Sequence, residues 1–344
     1  PRNGNIDRAR ARLQGEGNGC SGVCLNDRLW AMKVLCVGGT GYLGQYLVEG
    51  LKSDGHDVAF TYNTKESKAV SKLQDVEHAT GYWVDLATGE GLRQLAEEFG
   101  EPGLVVNCAA ISQPRACEED PDLAMAVNVP TRLVEDYLHG RFEGRPALAH
   151  LSTDHVYRGR KALVTEDERS EVGPVNAYGR TKLEAETFVS SSYANHAIFR
   201  SSIIYGGSKD VGRTLFVQFL DQALGAEGAE FGAFRNEFRS PVYVRDIVTL
   251  CATLADRVAR GEGIAPPAEG PRVFNLGGPE RLSRADMARM LCGRRGYPER
   301  RVVEVDRPAE AKSPADASMD SAKLRDTFGL ATTPFDRALR EIFP

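Results

Sequence analysis

Three things are scarce in this 344-residue sequence, and each scarcity excludes something. No apolar run approaches the roughly 20 residues that cross a bilayer as a helix, so membrane insertion is not expected. Basic charge is not in excess: Lys and Arg number 43 against 48 Asp and Glu, a formal net charge of −5. A chain of that balance has no field for neutralising nucleic-acid phosphates, which argues against a nucleic-acid partner. Cysteine is present seven times, an odd number scattered through a chain too large to need disulfide staples. Reduced thiols in an intracellular compartment are the simplest reading, and a cytoplasmic location is expected. Cys20 and Cys24 are the only close pair, and no second Cys/His pair stands nearby at zinc spacing, so no metal site is expected.

What remains is an ordinary globular composition, 42% hydrophobic and 26% charged. The length exceeds the usual single core and points to a large domain with a smaller lobe. Residues 1–31 carry Arg2, Arg8, Arg10, Arg12 and Arg28 among glycines and asparagines, with no apolar periodicity until Leu29. They read as a disordered leader. Asp7, Glu16 and Asp27 interrupt the pattern of an organelle-targeting segment, which stays open as an alternative. The folded unit is expected to begin near Met32.

From Lys33 short β-rich runs alternate with longer amphipathic stretches, the signature of βαβ units. The spacing predicts strands at Lys33–Val37, Asp57–Tyr62, Ala79–Val84, Leu104–Cys108, Ala147–Ser152 and Ala197–Ser201. Helices are predicted around Gly41–Ser53, Lys65–Gln74, Gly89–Phe99, Asp122–His139 and Asn176–Tyr193. The expected fold is α/β, a Rossmann-type doubly wound parallel sheet over residues 32–201. A mainly substrate-binding, smaller α/β lobe is expected over 202–344, with some of its elements returning to pack on the first domain; it holds helices near Leu215–Leu224, Arg245–Ala259 and Arg284–Arg294, a strand at Val273–Leu276, and closing helices at Asp320–Phe328 and Phe335–Ile342. The Gly- and Pro-rich stretch Gly261–Pro271 reads as a surface loop.

The first strand runs into Gly38-Gly39-Thr40-Gly41-Tyr42-Leu43-Gly44, a GxxGxxG turn between strand and helix. Such a turn lets backbone approach a pyrophosphate, and the helix that follows offers unpaired N–H groups and a partial positive charge. The second strand ends Thr61-Tyr62-Asn63-Thr64-Lys65, without the acid that would accept from ribose hydroxyls and repel a 2′-phosphate. Asn63 and Lys65 can receive that phosphate, so NADP(H) is favoured, with NAD(H) as the alternative. The small residues of Asn107-Cys108-Ala109-Ala110 leave room for a cofactor ribose. Asn128 precedes Pro130, which is expected to bend its helix and to bring the asparagine near the cofactor side.

Tyr178 and Lys182 stand four residues apart in a helical pattern and so share a face. A tyrosine ionises near pH 10, and a neighbouring ammonium makes its proton easier to give to a carbonyl oxygen that receives hydride. Thr153, at the carboxyl end of the fifth strand in Ser152-Thr153-Asp154-His155, is the hydroxyl best placed to bind that carbonyl, with Ser152 as the runner-up.

Together Gly38–Gly44, Val106–Val129, Ser152-Thr153-Asp154, Asn176–Leu183, Arg200-Ser201-Ser202 and Phe274–Pro279 resemble the dTDP-4-dehydrorhamnose reductase family of extended short-chain dehydrogenases/reductases. The resemblance implies reduction of the 4-keto group of a nucleotide-linked deoxysugar, with Thr153, Tyr178 and Lys182 as the catalytic set. It implies an adenine contact for Asp85 and its neighbour Leu86, although Asp85 can equally cap the following helix. On the substrate side it implies Ser112, Thr153, Asp154, His155 and Ile203, and for Arg200 a structural role. Where bacterial members of the family read R-T-S-W-V-Y and T-D-Y-V-F-D-G, this chain has Arg200-Ser201-Ser202-Ile203-Ile204-Tyr205 and Thr153-Asp154-His155-Val156-Tyr157-Arg158-Gly159. These departures, with Phe238–Asp246, also resemble the regulatory beta subunit of methionine adenosyltransferase. That resemblance implies an NADP-binding protein that serves a protein partner, and an accessory subunit of a larger assembly is a third reading. A nucleotide sugar is the expected small-molecule partner, and a homodimer or protein partner is the alternative.

Overall fold

The computed structural model describes residues 31–344 apart from 76, 140, 143, 213–214, 229 and 267–271. The leader expected at 1–31, all but its last residue, lies outside the described residues, as do Cys20, Cys24 and the end of the 261–271 loop.

The first half is a βα series: β1 (Lys33–Val37), α1 (Tyr42–Ser53), β2 (Asp57–Tyr62), α2 (Lys68–Asp75), β3 (Thr80–Trp83), α3 (Leu92–Phe99) and β4 (Leu104–Asn107). It continues through α4 (Pro114–Glu119), α5 (Pro121–Asn128), a π-helical turn at Leu133–Leu138, β5 (Ala147–Thr153), α6 (Ala177–Ser192) and β6 (His196–Ser201). The inner strands β1, β2 and β4 are apolar runs because a parallel sheet is covered on both faces, whereas the edge strand β3 buries only Tyr82. In β1, Val34 and Cys36 pack on one side with Leu47 and Leu51 of α1, while Leu35 and Val37 pack on the other with Val105, Tyr137 and Val189.

The second half carries β7 (Ile204–Tyr205), α7 (Phe216–Gly225), β8 (Phe231–Phe234), β9 (Phe238–Arg239), β10 (Val242–Tyr243), α8 (Val244–Ala259), β11 (Val273–Leu276), β12 (Leu282–Ser283), α9 (Arg284–Arg295), β13 (Val302–Val305), α10 (Ala322–Phe328) and α11 (Phe335–Ile342). Three small pairs, β7 with β10, β8 with β13 and β9 with β12, build the part that faces the sheet's carboxyl edge. Some of these elements return to the main body, among them α10, whose Phe328 packs on Phe199 of β6. The main sheet has seven parallel strands in the order β11-β6-β5-β4-β1-β2-β3, so Val273–Leu276, expected in the smaller lobe, is instead its seventh strand beside β6. Helix α8 lies so close on α1 that a Cβ at Gly50 would stand 2.3 Å from Val248 Cγ1.

One predicted helix is corrected. The stretch Asp122–His139 is not a single bent rod: α5 stops at Asn128, Val129 is extended, and a π-helical turn follows. Pro130 has no N–H and disfavours helical backbone in the residue before it, so it ends the helix rather than kinking it. The short α4 ahead of it was not anticipated, and Asp120 caps the next helix by accepting from Leu123 N at 3.0 Å.

A buried polar post joins the two halves. Arg200 on β6 grips Glu186 of α6 through Nε (3.0 Å to Oε1) and Nη2 (2.7 Å to Oε2), and its Nη1 donates to Tyr157 OH at 3.0 Å. Tyr157 OH in turn donates to Asn275 Oδ1 of β11 at 2.6 Å. Arg200 thus has the structural place that the resemblance implied.

Candidate active site

The turn after β1 is built by contacts that only glycine permits. Gly38 has φ +84°, and a Cβ on it would stand 2.8 Å from Ala109 Cα, which follows β4. A Cβ on Gly44 would meet Gly38 O at 2.2 Å, because the first turn of α1 folds onto the turn itself. Gly41 differs: its Cβ would meet only Gly38 O, at 3.2 Å, and the residue faces the cleft. Gly41 is also the N-cap of α1, with no side-chain cap and no acid in the first turn. The first N–H groups of that helix therefore present a positive end for an anion. Thr40 O and Asp210 O both accept from Gln45 Nε2, which ties the loop after β7 to the turn.

At the far end of the turn lie the residues expected around an adenosine. Lys65 Nζ sits 4.4 Å from the centre of the Trp83 ring, and Trp83 Nε1 donates to Asn63 O at 2.8 Å. Asn63 Nδ2 donates to Val84 O, joining the ends of β2 and β3. Asp85 Oδ1 accepts from Ala87 N at 2.8 Å and closes a turn, while Leu86 packs half-buried against the second core cluster. Trp83 was not singled out in the sequence; it is the ring that holds Lys65 at the sheet's edge.

The cleft itself, about 400 Å³, opens at the carboxyl ends of β1, β4, β5 and β6. Gly41–Gly44, Cys108, Ala110, Ser112, Thr153, Asp154, His155, Tyr178, Lys182 and Ile203 all line it. The glycine turn and the hydroxyl–phenol–amine set thus share one wall-to-wall space. Ser152 and Thr153 are now separated in role. Ser152 Oγ is spent on Glu186 Oε1 at 2.5 Å. Thr153 Oγ1 accepts from His155 N at 3.2 Å and donates to Asp154 Oδ1 at 3.3 Å, an internal bond that a substrate oxygen can replace. Asp154 is held from behind by Ser202 Oγ at 3.0 Å and by Arg239, whose Nε lies 3.6 Å from Oδ2.

Lys182 is 2% exposed, and its Nζ stands 3.2 Å from His150 Nε2. Burial pushes its pKa down to about 8, against the pull of Glu186 and Cys108. Burial also drives His150 well below the ordinary imidazole range, and the neighbouring lysine adds to this. His155 presents its ring edge-on to Tyr178, with centroids 5.7 Å apart. Asn176 accepts from Gly179 N through Oδ1 and directs Nδ2 at His155 Nδ1, 2.9 Å away. The imidazole therefore accepts on Nδ1 and carries its proton on Nε2. Burial holds it below its ordinary pKa, a neutral donor beside the tyrosine.

Asn128 sits behind the cleft wall. It is completely buried, with Oδ1 accepting from Ile111 N and both Nδ2 protons spent on Ile111 O and Thr181 Oγ1. It braces α6 from behind and has no hydrogen-bonding capacity left on Nδ2 for a cofactor. A second cavity of about 530 Å³ adjoins the cleft through His155, Pro114 and Phe216. Its floor includes Phe219, Phe231 and Phe234, and Arg239 and Arg284 enter it on either side of Glu237, to which Arg284 Nε donates at 2.9 Å. These arginines come from β9 and α9, and no sequence spacing announced that they meet.

A family model described as the RmlD substrate binding domain matches residues 32–344. Among curated proteins, methionine adenosyltransferase 2 subunit beta from Mus musculus is 26% identical over 317 residues, covering 90% of this chain and 86% of that protein. A Haloferax volcanii protein named "Probable low-salt glycan biosynthesis reductase Agl14" is 27% identical over 283 residues, 80% of this chain and 90% of its own. Among solved structures, a dTDP-4-dehydrorhamnose reductase from Bacillus anthracis in complex with NADP superposes with a TM-score of 0.71 at 21% identity, covering 91% of this chain and 99% of that one.

Proposed function

Because the chain belongs to the RmlD substrate-binding-domain family, we propose that it is an NAD(P)H-dependent oxidoreductase that reduces the 4-keto group of a nucleotide-linked deoxysugar. The observation that carries this reading is the convergence of Thr153, Tyr178 and Lys182 with the glycine turn on one cleft. Residues 32–201 would hold the dinucleotide and most of 202–344 the sugar nucleotide. The cradle fits such a cofactor: the glycines at 38 and 44 let the turn close tightly on itself, Gly41 leaves open space on the cleft side, and the uncapped end of α1 would face the phosphates. Bound NAD(P)H would supply the hydride.

The protein's own groups handle the oxygen. Thr153 Oγ1 and Tyr178 OH both reach the cleft, and a carbonyl oxygen between them receives two hydrogen bonds. As charge builds on that oxygen the tyrosine gives up its proton, which general-acid catalysis makes worth roughly 10²- to 10⁴-fold in rate. The N–H of His155 Nε2 and the carboxylate of Asp154 then meet the neighbouring sugar hydroxyls. Ile203 stands where the family's aromatic is expected, so the sugar face meets an aliphatic surface.

NADP(H) is the cofactor that the adenosine end favours. Lys65 stacks on Trp83 and no carboxylate closes β2. Lys65→Glu should reverse the preference, weakening NADP(H) about tenfold while leaving NAD(H) nearly unchanged, as expected for loss of one charge-assisted contact of about 1.5 kcal/mol. Calorimetric titration with both dinucleotides reads it, and parallel losses for the two would remove Lys65 from the 2′-phosphate. Gly41→Val should weaken either dinucleotide at least tenfold with the fold intact, because the new side chain enters the cleft and meets little else. Unaltered binding would displace the phosphates from this turn.

A second reading rests on the likeness to methionine adenosyltransferase 2 subunit beta across 90% of the chain. On it the protein binds the dinucleotide and serves a protein partner. NADPH oxidation with a dTDP-4-dehydro-6-deoxysugar separates the two. Turnover supports the reductase, and tight NADPH binding with no turnover supports the regulatory subunit.

A further inference from the structure

We propose that His155 and Asp154 clamp a single hydroxyl of the ligand, the one on the carbon next to the reacting carbonyl, and that Asn176 sets the clamp by fixing which nitrogen of His155 carries the proton. Asn176 is wholly buried, and two backbone groups fix its amide. Oδ1 accepts from Gly179 N at 2.8 Å, and Nδ2 donates to Lys312 O at 2.8 Å. The second Nδ2 proton is left for His155 Nδ1, 2.9 Å away, so that nitrogen accepts. A protonated imidazole would set donor against donor there. Burial lowers the imidazole pKa in the same sense, with Arg239 and Arg284 acting alongside it and Asp154 and Glu237 against it. His155 lines both the cleft and the second cavity, and the polar group it has left for a ligand is the N–H of Nε2.

What that N–H faces decides the ligand. Asp154 Oδ1 lies 4.0 Å from Nε2, too far for a direct hydrogen bond and close enough for one oxygen to bond to both. The two differ in kind: the nitrogen only donates and the carboxylate only accepts. A hydroxyl accepts from the first and donates to the second. An ammonium has no lone pair for Nε2, an ether has no proton for Asp154, and a deoxy carbon satisfies neither. The carboxylate has little freedom to turn away, because Ser202 Oγ donates to Oδ2 at 3.0 Å and Arg239 Nε stands 3.6 Å from the same oxygen. The hydroxyl's position follows from Thr153, whose Oγ1 reaches Asp154 Oδ1 at 3.3 Å. A carbonyl oxygen on Thr153 and a hydroxyl on Asp154 are thus held by adjoining groups, which matches an α-hydroxyketone, with its two oxygens on adjacent carbons. That placing rests on the reductase reading; the clamp's demand for a hydroxyl does not.

The test is calorimetric titration of the full chain with oxidised NADP present, where no hydride can move. A dTDP-4-dehydro-6-deoxysugar should bind at least roughly 10²-fold more tightly than its 3-deoxy analogue, which leaves both clamp groups unpaired. His155→Phe should cut that ratio about tenfold, and His155→Gln, whose amide can set an N–H where Nε2 stands, should restore it. Nitrogen-15 NMR should find the native His155 imidazole protonated on Nε2. Asn176→Asp keeps an acceptor for Gly179 N but turns the contact to Nδ1 into an acceptor, so at alkaline pH the proton should move to Nδ1 and the ratio should fall as in His155→Phe. If that variant perturbs folding, the two histidine variants carry the test. A native imidazole protonated on Nδ1, equal binding of the two sugars, no binding of the hydroxy sugar, or a ratio unchanged in His155→Phe would overturn the proposal. Turnover is then measured separately with NADPH. Selective binding with no turnover would remove the reductase reading and leave the clamp, whereas turnover of both sugars alike would remove the clamp and leave the reductase.

Discussion

Tyr178→Phe should abolish turnover, by about 10²- to 10⁴-fold, and leave dinucleotide affinity within twofold of the native protein. The substitution removes one oxygen and one transferable proton and keeps the ring, which packs edge-on to His155 and against the small cluster of Cys117, Ala124 and Ala177. Thr153 stays to bind the carbonyl oxygen, so a substrate analogue should still bind. The loss should therefore fall on kcat rather than on KM. Steady-state NADPH oxidation beside calorimetric titration of the dinucleotide makes the comparison, and retained turnover in the variant would require another acid. His155 is the nearest candidate, and as a general acid it acts only when protonated, so turnover would then fall as pH rises through an imidazole pKa that burial holds low.

The parts of this site legible in sequence are those whose logic is local. β1, β2 and the strand at Val273–Leu276 coincide with the predicted runs, because strands covered on both faces leave short, unbroken apolar stretches. The glycine turn is legible for the same reason: its close approaches join residues a few positions apart, or join them to a neighbouring strand end. Tyr178 and Lys182 are read from helical spacing alone. What escaped the sequence is held by contacts far apart in the chain. His150 meets a lysine 32 positions later and an asparagine 43 earlier, and neither pair has a spacing that local periodicity could register. For Asn128 the neighbouring Pro130 marks a break in the helix, but the partner that takes up its amide, the backbone of Ile111 seventeen positions earlier, has no local signature. The short α4 escaped because only Cys117 of its six residues is buried, which leaves no apolar stripe to detect. β11 is legible as a strand, but its place beside β6 in the main sheet is not, since a four-residue run carries no sign of which edge it joins.

Glu186→Gln should cost about 3–5 kcal/mol of folding stability, the effect of leaving a buried charge without its partner. Glu186 and Arg200 are 4% and 6% exposed, so water cannot replace the lost carboxylate. The guanidinium would keep its bond to Tyr157 OH, and that phenol would keep Asn275, but the charge would remain unneutralised between α6 and β6. Ser152 would meanwhile face an amide in place of the carboxylate that now accepts its proton. The double variant Glu186→Leu with Arg200→Met separates the cost of an orphaned charge from the worth of the pair. Removing both charges together also removes their desolvation penalty, so it should be less destabilising than Glu186→Gln alone. Urea unfolding of the native chain and the two variants at neutral pH provides the test. A double variant as unstable as Glu186→Gln would mean that this post contributes net stability, beyond fixing α6 and its tyrosine and lysine against the sheet.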